Sequence, residues 1–560
     1  MYFPPNFPST GERISAVLAA ILLAAGLSVL PEPTKAQNQT ATGYVYHDEN
    51  ENRTLDAGEE GIEGISVSNG REVVQTDDNG RYELAVDNDD IIFVVKPKGW
   101  MTPVDHHNLP QFYYIHKPNG SPETEYPGVA PTGPLPDEVN FPLYERESIT
   151  SYWSLIFGDP QPYSIRQIDY LANDVVSELV GVDSVEFGMT MGDIVGDSLA
   201  LFDELNSTVA QVGIPWSNVP GNHDINYDVE DDTLSDETFE RVYGPATYAF
   251  AYGNAHFVVI DDVIYPENGS GYVGGLRGDQ IEFLGNYLDT VPDDELVVLT
   301  MHIPLVKHGD SFRSSDQRKL FELLQDHPHT LSISAHTHRQ EHKFFGQDAP
   351  GWSRPQPHHH FNVGTTSGSW WQGWKSETGI PHTMMRDGTP NGYAFLRIDD
   401  NRYKINWKVA GKPSSYQMNI HTPTPVMRGQ ENTLTVNLFN GSKHAEVEYR
   451  LDDQPNWHAM EKTWAVDPYY EALDQRWQNL QELAFAEQWQ ANSALTSVEM
   501  PGTNLPGPNE SSHLWTAPLP QGLSQGRHRV EVRVTDMYGR TFTDHHLFRV
   551  EHAEDISGAH

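Results

Sequence analysis

Cysteine is absent from this chain of 560 residues. Without thiols the protein can have no disulfide framework, no thiolate nucleophile and no zinc site built from cysteine. Basic residues are also few, because 36 Lys and Arg stand against 79 Asp and Glu, which gives a formal net charge of −43 at pH 7. A surface of that charge repels phosphate backbones, so we expect no binding to duplex nucleic acid.

Long apolar runs are confined to the N-terminus. Residues 14–30 read "ISAVLAAILLAAGLSVL", follow the positive Arg13 and precede the small-residue site "TKA". This pattern predicts a signal peptide over residues 1–36, export to the periplasm or the extracellular cell surface, and no stable membrane span after cleavage. The alternative is a retained anchor, since the run approaches the roughly 20 residues that a spanning helix needs.

The rest of the chain divides into three regions by the spacing of its apolar residues. Short strand-like runs separated by turns fill residues 37–145, ending in a Pro-rich linker, and return over residues 412–560 around a helical stretch at 467–490. Such runs predict an N-terminal β-sandwich and a C-terminal β-rich domain. Over residues 146–411, strand-like runs alternate with stretches of helical periodicity, which predicts an α/β layered fold.

Polar side chains able to bind a metal follow the strand-like runs of residues 146–411. In layered α/β folds ligands bind beyond the carboxyl ends of the strands, so these side chains are expected to meet at one edge. Carboxylate, imidazole and amide donors without sulfur suit Mn, Fe, Zn or Mg, and one shared carboxylate suits two ions roughly 3.5–4 Å apart. The candidate ligands are Asp159, Gln161, Asp193, Asn222, His302, His336 and His338.

Five short blocks carry these residues in a fixed order over about 180 residues: "GDPQ", "GDIVGD", "GNHD", "TMH" and "AHTH". This ordered series resembles the calcineurin-like metallophosphoesterases. The resemblance implies a four-layer (αββα) catalytic sandwich, flanked by N-terminal and C-terminal β-sandwich domains, and two divalent or trivalent metal ions (Mn, Fe or Zn). It implies that Asp159 and His338 hold the first ion and that Asp193 bridges both. Asn222, His302 and His336 would hold the second.

The resemblance also implies a catalytic role for His223, beside the scissile phosphate as an acid or charge stabiliser. The carboxylate that orients His223 would be Asp197 or Asp224. Gln161 departs from the family pattern, which commonly has His there, so the first ion either loses a ligand or gains an amide oxygen. The "DPQ" form resembles one branch of the family, which has flanking β-domains and includes phosphatases of proteins and of small molecules.

A histidine- and tryptophan-rich stretch, "PHHHFNVGTTSGSWW", follows the paired histidines. His360, Trp370 and Trp371 are predicted to line the substrate pocket, the indoles by stacking on a sugar or base. The alternative for the tryptophans is packing between domains. Arg386 and Asp387, in "MRDGTPNGY", could reach a phosphate or shape a turn, and the turn is the favoured interpretation.

The stretch "DENENRTLDAGE" in the N-terminal region predicts a calcium site. Oxygen-bearing side chains occupy positions 1, 3, 5, 7, 9 and 12, as in the loop of an EF-hand. Arg53 takes the sixth position, where glycine is usual, and a solvated acidic turn is the alternative. The candidate calcium ligands are Asp48, Asn50, Asn52, Thr54, Asp56 and Glu59.

The function expected from this resemblance is that of an exported, metal-dependent phosphoesterase. Its substrates would be phosphate monoesters, either small phosphorylated molecules or phosphoproteins. Two alternatives remain open from the residues. One is a phosphodiesterase or nucleotide-sugar pyrophosphatase using the same centre. The other is a surface carbohydrate-binding or adhesion protein whose metal site is vestigial.

Overall fold

The protein is described from a computed structural model that covers residues 39–266, 271–305, 312–490, 502–503 and 505–552. The predicted signal peptide, residues 1–36, lies outside the described residues. Across the covered ranges, no helix is both long and apolar enough to cross a membrane.

The N-terminal region consists of two four-stranded sheets, with strand orders β4-β1-β8-β6 and β3-β2-β5-β7. Apolar side chains such as Val45, Tyr82 and Ile92 belong to the buried core of this region. The strands are β1 (Gln39–His47), β2 (Ser66–Ser68), β3 (Val73–Gln75), β4 (Arg81–Val86), β5 (Asp90–Val94), β6 (Trp100–Met101), β7 (Tyr113–His116) and β8 (Phe141–Glu145).

The central region consists of two larger sheets and five α-helices. Its strands and helices follow in this order: β9 (Ser151–Phe157), α1 (Ile165–Asp174), β10 (Val185–Met191), α2 (Phe202–Val209), β11 (Trp216–Val219), α3 (Glu237–Tyr243), β12 (Tyr248–Tyr252), β13 (Ala255–Val259), β14 (Val263–Ile264), β15 (Val273–Gly274), α4 (Gly278–Leu288), β16 (Leu296–Thr300), α5 (Ser314–Leu324), β17 (Thr330–Ser334), β18 (Glu341–Phe345), β19 (His358–Asn362), β20 (Gly392–Asp399) and β21 (Arg402–Val409).

The two central sheets have the orders β11-β10-β9-β20-β21 and β12-β13-β16-β17-β19-β18. They pack face to face, because the ring of Phe187 on β10 stacks on Tyr252 of β12 at 4.5 Å and meets Phe257 of β13 edge-on at 5.0 Å. Strands buried on both faces have near-continuous apolar sequences, as in "LVVLT" of β16.

Helices cover the outer face of each central sheet. Ile168 and Leu171, three positions apart on α1, share a core with Leu155 of β9. On the other side, Tyr287 of α4 is bonded to His256 of β13, and α5 packs against β19. The predicted α/β fold, a four-layer αββα sandwich, is therefore confirmed.

The C-terminal region is a second pair of sheets, ordered β22-β24-β28-β27 and β23-β30-β29-β25-β26, with an apolar core of its own. A 23-residue helix, α6, interrupts the strands where helical periodicity was read in the sequence. The elements are β22 (Met418–His421), β23 (Val426–Met427), β24 (Thr433–Leu438), β25 (Glu446–Leu451), β26 (His458–Ala459), β27 (Glu461–Val466), α6 (Pro468–Gln490), β28 (Glu510–Pro518), β29 (Gly526–Thr535) and β30 (Thr541–Glu551).

Candidate metal centre

The candidate ligands follow immediately after the carboxyl ends of five parallel strands. Strands β9, β10 and β11 run parallel in one sheet, and β16 and β17 run parallel in the other. The two sheets therefore bring residues from distant parts of the sequence to one shared edge, where parallel sheets bind ligands.

One group of donors surrounds the Nε2 atom of His302. That atom lies 3.2 Å from Asp193 Oδ1, 3.1 Å from Asn222 Oδ1 and 3.1 Å from His336 Nδ1. The Nδ1–H of His302 donates to the carbonyl oxygen of Met191 at 2.8 Å, which leaves Nε2 with its lone pair. Carboxylate, amide and imidazole donors that converge in this way form a set suited to a transition-metal ion.

A second group lies around Asp159, which is fully buried. Its two oxygens accept the backbone N–H of His336 at 3.1 and 3.2 Å, and His338 Nε2 lies 3.8 Å from its Oδ1. The Nδ1–H of His338 donates to the carbonyl oxygen of Gly368 at 2.9 Å, so Nε2 is the nitrogen available to a metal. Asp159 and His338 therefore face each other as a second set of donors.

Gln161 completes this second group with a neutral oxygen. Its Nε2 donates to Asp193 Oδ2 at 3.2 Å, whereas its Oε1 is buried and has no hydrogen-bond partner among the residues described. A buried acceptor without a donor is costly unless a cation or a water satisfies it. The amide therefore fits a metal site, and the donor chemistry of both groups fits metal ions.

Additional positive charge would stabilise the buried carboxylates of the centre. Burial raises the pKa of Asp159 well above its usual range, although the nearby His302 lowers it. Burial would raise the pKa of Asp193 as well, but His302 and His223 together bring it below its usual range. A cation placed between these two carboxylates would stabilise both in their ionised forms.

Backbone strain is concentrated at this edge. Several side-chain-bearing residues of the site have positive φ, in the left-handed region that is costly for them and that clusters at functional sites. Gly192 has φ +85°, and a Cβ there would lie 2.4 Å from His302 Nδ1, so only glycine allows this approach. The non-glycine residues with positive φ include Asp159 (35°), Gln161 (40°), Asp193 (49°), Asp197 (65°), His336 (67°) and His338 (50°).

The predicted catalytic histidine lies beside the metal ligands. The Nδ1–H of His223 donates to Asp197 Oδ1 at 2.5 Å, and its Nε2 lies 4.0 Å from Asp193 Oδ2. Burial would lower the pKa of His223, but the carboxylates of Asp193 and Asp197 raise it above its usual value. Asp224 is bonded elsewhere, because its carboxylate accepts three backbone N–H groups of the surrounding loops. Of the two candidates, Asp197 is the residue that contacts the imidazole.

A cavity of about 450 Å³ opens over these donors. Its lining includes five of the predicted ligands and His223, together with residues that the sequence interpretation did not assign to the site. Arg339 directly follows the paired histidines in sequence, and this position could have indicated that it belongs to the site. Nothing in the sequence links Asn509 to the paired histidines. The additional lining residues are Tyr272, Thr337, Arg339, Arg386 and Asn509.

Of the three residues predicted to line the substrate pocket, Trp370 is among those that line the cavity. The indole of Trp370 packs against the imidazole of His338, with ring centroids 4.4 Å apart. Trp371 is buried and donates its Nε1–H to the carbonyl oxygen of Pro160, so it packs in the core. His360 is fully buried in β19, where Ser332 and Ser334 of the neighbouring β17 bind its two ring nitrogens. Neither Trp371 nor His360 is among the described residues that line the cavity.

The interpretation of Arg386 and Asp387 as turn formers is incomplete. Arg386 lines the cavity, as stated above. Asp387 is buried and accepts hydrogen bonds from the backbone of Gln340 and from His513 of the C-terminal region, at 2.9 and 3.1 Å. It therefore joins the edge of the centre to the C-terminal sandwich.

The predicted calcium loop lies between β1 and β2. Asp48 is buried, and its carboxylate accepts two backbone N–H groups of the loop at 3.0 and 2.7 Å. The side-chain amides of Asn50 and Asn52 donate to Asp56 Oδ2 at 3.0 and 2.7 Å, and Glu59 Oε1 is buried without a partner in the described part of the chain. The polar side chains of the loop thus face one another.

Three family models match successive parts of the sequence. They are the N terminal of calcineurin-like phosphoesterase over residues 49–126, calcineurin-like phosphoesterase itself over residues 154–340, and the C terminal of calcineurin-like phosphoesterase over residues 360–542. No curated protein matches the chain in sequence.

Solved structures similar to the chain include a purple acid phosphatase and PhoD. The purple acid phosphatase PPD1 from yellow lupin (Lupinus luteus) seeds shares 12% identity over 68% of each chain, with a TM-score of 0.34. PhoD shares 12% identity over 71% of this chain and 85% of its own, with a TM-score of 0.36. The assignment to a family therefore rests on the three sequence models, which together match most of the chain; the second of them includes all seven predicted ligands of the metal centre. The chain belongs to the calcineurin-like phosphoesterase family and is a metal-dependent phosphoesterase.

Proposed function

We propose that this protein hydrolyses phosphate monoesters with two divalent or trivalent metal ions, either Mn, Fe or Zn. The observation that carries the proposal is the position of Asp193 between two sets of donors. Its Oδ1 faces His302 at 3.2 Å, while its Oδ2 accepts from Gln161 at 3.2 Å. A carboxylate with one oxygen toward each set is the arrangement by which one residue serves two ions.

The ligands divide between the two positions according to the contacts already described. Asp159, Gln161 and His338 would hold one ion, and Asn222, His302 and His336 the other, with Asp193 shared. When bound, such ions neutralise the oxygens of a phosphate group and lower the pKa of a water molecule toward neutrality.

The residues of the chain itself would orient the ester and supply the proton. His223 reaches the cavity with Nε2, and its Nδ1–H is held by Asp197. In that tautomer, uptake of a proton at Nε2 makes the ring a donor to the oxygen of the departing alcohol. Trp370 closes one side of the cavity against His338 and limits how the organic part of the ester can lie.

Export and calcium binding belong to the same proposal, although the support is separate. Export rests on the N-terminal sequence, and N-terminal sequencing of the protein recovered from the source cells checks for a start at Gln37. Calcium binding rests on the loop from Asp48 to Glu59, whose carboxylates face inward as in an oxygen-ligated site. A preparation free of calcium after mild dialysis, with unchanged thermal stability on adding the ion, would exclude it.

The decisive experiment combines metal content with turnover. The protein is purified without chelator, its Mn, Fe and Zn are quantified by mass spectrometry, and it is assayed on 4-nitrophenyl phosphate and bis(4-nitrophenyl) phosphate. We expect about two ions per chain, turnover of the monoester above the diester, and loss of both metal and turnover in Asp193→Asn. Asp183→Asn, an exposed aspartate, is the matched control.

Other outcomes would count against specific parts of the proposal. One bound ion with weak turnover means that the position around Gln161 is empty. Faster turnover of the diester favours a phosphodiesterase. No metal and no turnover, even after Mn or Fe is added, would favour a binding protein with a vestigial centre.

A further inference from the structure

Two arginines line the cavity of the metal centre. The backbone N–H of Gln340 donates to Asp387 Oδ2 at 2.9 Å, so the chain segments that carry these two residues are in contact. Arg339 and Arg386 each precede one partner of that hydrogen bond by one position, and both line the cavity. The cavity therefore presents two positive side chains next to His338.

The C-terminal region holds Arg386 in place. Arg386 donates from Nε to the carbonyl oxygen of Gly507 at 2.6 Å, and its own carbonyl oxygen accepts the backbone N–H of Asn509 at 2.9 Å. Asn509 thereby reaches the cavity with a side-chain amide that can donate two hydrogen bonds. The arginines and the amide together form one polar wall, contributed by two regions of the chain.

Among the described residues, no acidic side chain forms an ion pair with the arginines of this wall. Within the described ranges, neither guanidinium forms an ion pair with a carboxylate, and the guanidinium of Arg339 has no hydrogen-bond partner. Asp387, the acid next in sequence, is turned away and accepts from Gln340, Thr389 and His513. In a chain with 79 acidic against 36 basic residues, two adjacent unpaired arginines in a cavity indicate a site for an anion.

The scissile phosphate does not account for this wall by itself. The two sets of metal-binding donors and His223 account for the binding of one phosphate. Arg339, Arg386 and Asn509 line the same cavity but belong to neither set of donors. We propose that Arg339, Arg386 and Asn509 form a subsite for a second anionic group, a carboxylate or a second phosphate, on the alcohol part of the ester. This inference rests on the proposed function and defines its substrate class as phosphate esters that carry another negative charge.

The test compares esters that differ only in the second group. The metal-loaded protein is assayed on 4-carboxyphenyl phosphate, on 1,4-phenylene bisphosphate and on the uncharged isostere 4-carbamoylphenyl phosphate. A charge-assisted pair with a guanidinium is worth roughly a tenfold difference, so we expect kcat/KM for one or both charged esters to exceed that of the isostere about tenfold. The preferred charged ester identifies the second anion.

Arg339 is the residue to change, because its side chain bonds to no described residue and its removal should leave the fold intact. Arg339→Gln is expected to remove the preference for the charged ester, and Arg339→Lys to keep part of it, since lysine retains the charge without the planar fork. Arg402→Gln, an arginine at the opposite, solvent-exposed end of the central sheet, is the matched control. A wild-type protein without any preference, or equal losses on charged and uncharged esters in Arg339→Gln, would refute the subsite.

A binding measurement distinguishes a failure of this inference from a failure of the proposed function. The non-hydrolysable 4-carboxyphenylphosphonate and its carbamoyl isostere are titrated calorimetrically into the wild-type and Arg339→Gln proteins. Preference for the carboxylate that disappears in Arg339→Gln supports the subsite even when no ester is hydrolysed. Hydrolysis of all esters with equal affinity for both phosphonates supports the enzyme and overturns the subsite.

Discussion

At the scale of single residues, Asp197 and not Asp224 is the carboxylate that contacts His223. Asp197 contacts the imidazole and its side chain is half-exposed, whereas Asp224, adjacent to His223 in sequence, is fully buried and bonded only to backbone. The sequence left both carboxylates as candidates, and proximity to His223 would have favoured Asp224. The distinction comes from the loop geometry, which turns Asp224 toward the N–H groups of Ile194, Val195 and Gly221.

Replacing each of these two carboxylates should therefore have a different effect. Asp197→Asn is expected to lower kcat roughly 10- to 100-fold, because His223 loses the group that fixes its tautomer and orientation, while metal content and thermal stability stay unchanged. Asp224→Asn leaves buried N–H groups without acceptors and should cost roughly 3 kcal/mol of unfolding free energy. Steady-state kinetics and calorimetry on both variants check this, and the reverse pattern would assign the orienting role to Asp224.

Gln161 allows a second test at the scale of one side chain. Gln161→Leu keeps the size but removes the buried oxygen, so we expect one metal ion to bind roughly 10- to 100-fold more weakly. Competition with a chelator, followed by metal analysis of the protein, measures the change. The exposed Gln211→Leu serves as control, and equal metal retention in both variants would mean that the amide does not ligate.

At the scale of elements, strand β19 departs most from what its sequence suggests. "HHHFN" was interpreted as a pocket wall, since histidines are common in active sites, but all five residues are buried. Alternate residues of a strand share a face, so His358 and His360 point together toward β17, where Ser332 lies 2.7 Å from a ring nitrogen of each. The serines that bind these histidines lie in an ordinary strand sequence on β17. Nothing in that sequence predicts their hydrogen bonds to the imidazoles.

Burial of these imidazoles makes the strand sensitive to acid. Burial lowers the pKa of His358 and of His360 to about 3, whereas a histidine in the unfolded chain has a pKa of about 6.5. Because the unfolded state takes up protons first, each histidine stabilises the fold above about pH 6.5 and that contribution is lost progressively as the pH falls toward 3.

We therefore expect unfolding free energy to fall with acidity by about 1.4 kcal/mol per pH unit for each such histidine between pH 6 and pH 4. His360→Gln should lower stability at pH 7.5 yet flatten this slope, as measured by calorimetry over that range. The exposed His545→Gln should leave the slope unchanged. A slope in His360→Gln as steep as in the wild type would contradict the prediction.

At the scale of the whole molecule, net charge sets the response to salt. A formal charge of −43 acts against compaction, and salt weakens this repulsion as the Debye length falls from about 10 Å at 0.1 M to about 3 Å at 1 M. We expect Tm to rise between 0.1 and 1 M NaCl, by roughly 1 °C for each 1 kcal/mol of repulsion relieved, because a chain of this length has a large entropy of unfolding. Potassium chloride is the control for specific sodium binding, and a Tm that falls with both salts would contradict the expectation.

The packing of the C-terminal region against the central region determines what it contributes to the cavity. His513 of β28 pairs with Asp387 at 3.1 Å in a fully buried contact, and Asn509, just before that strand, enters the cavity. The sequence predicted this region only as a β-rich domain. Its part in the cavity depends on how two sandwiches pack, which involves contacts between residues more than a hundred positions apart.

The sequence by itself determined the features whose signals are local. Apolar alternation and helical periodicity predicted the layered fold, and ligand types that directly follow strand-like runs predicted which side chains meet, because parallel strands bring their carboxyl ends to one edge. Tertiary structure alone decided which carboxylate holds His223, that His360 and Trp371 are core residues, and that Arg339 and Arg386 lie together. These outcomes depend on side-chain direction and on packing between distant segments, neither of which a linear pattern of residues records.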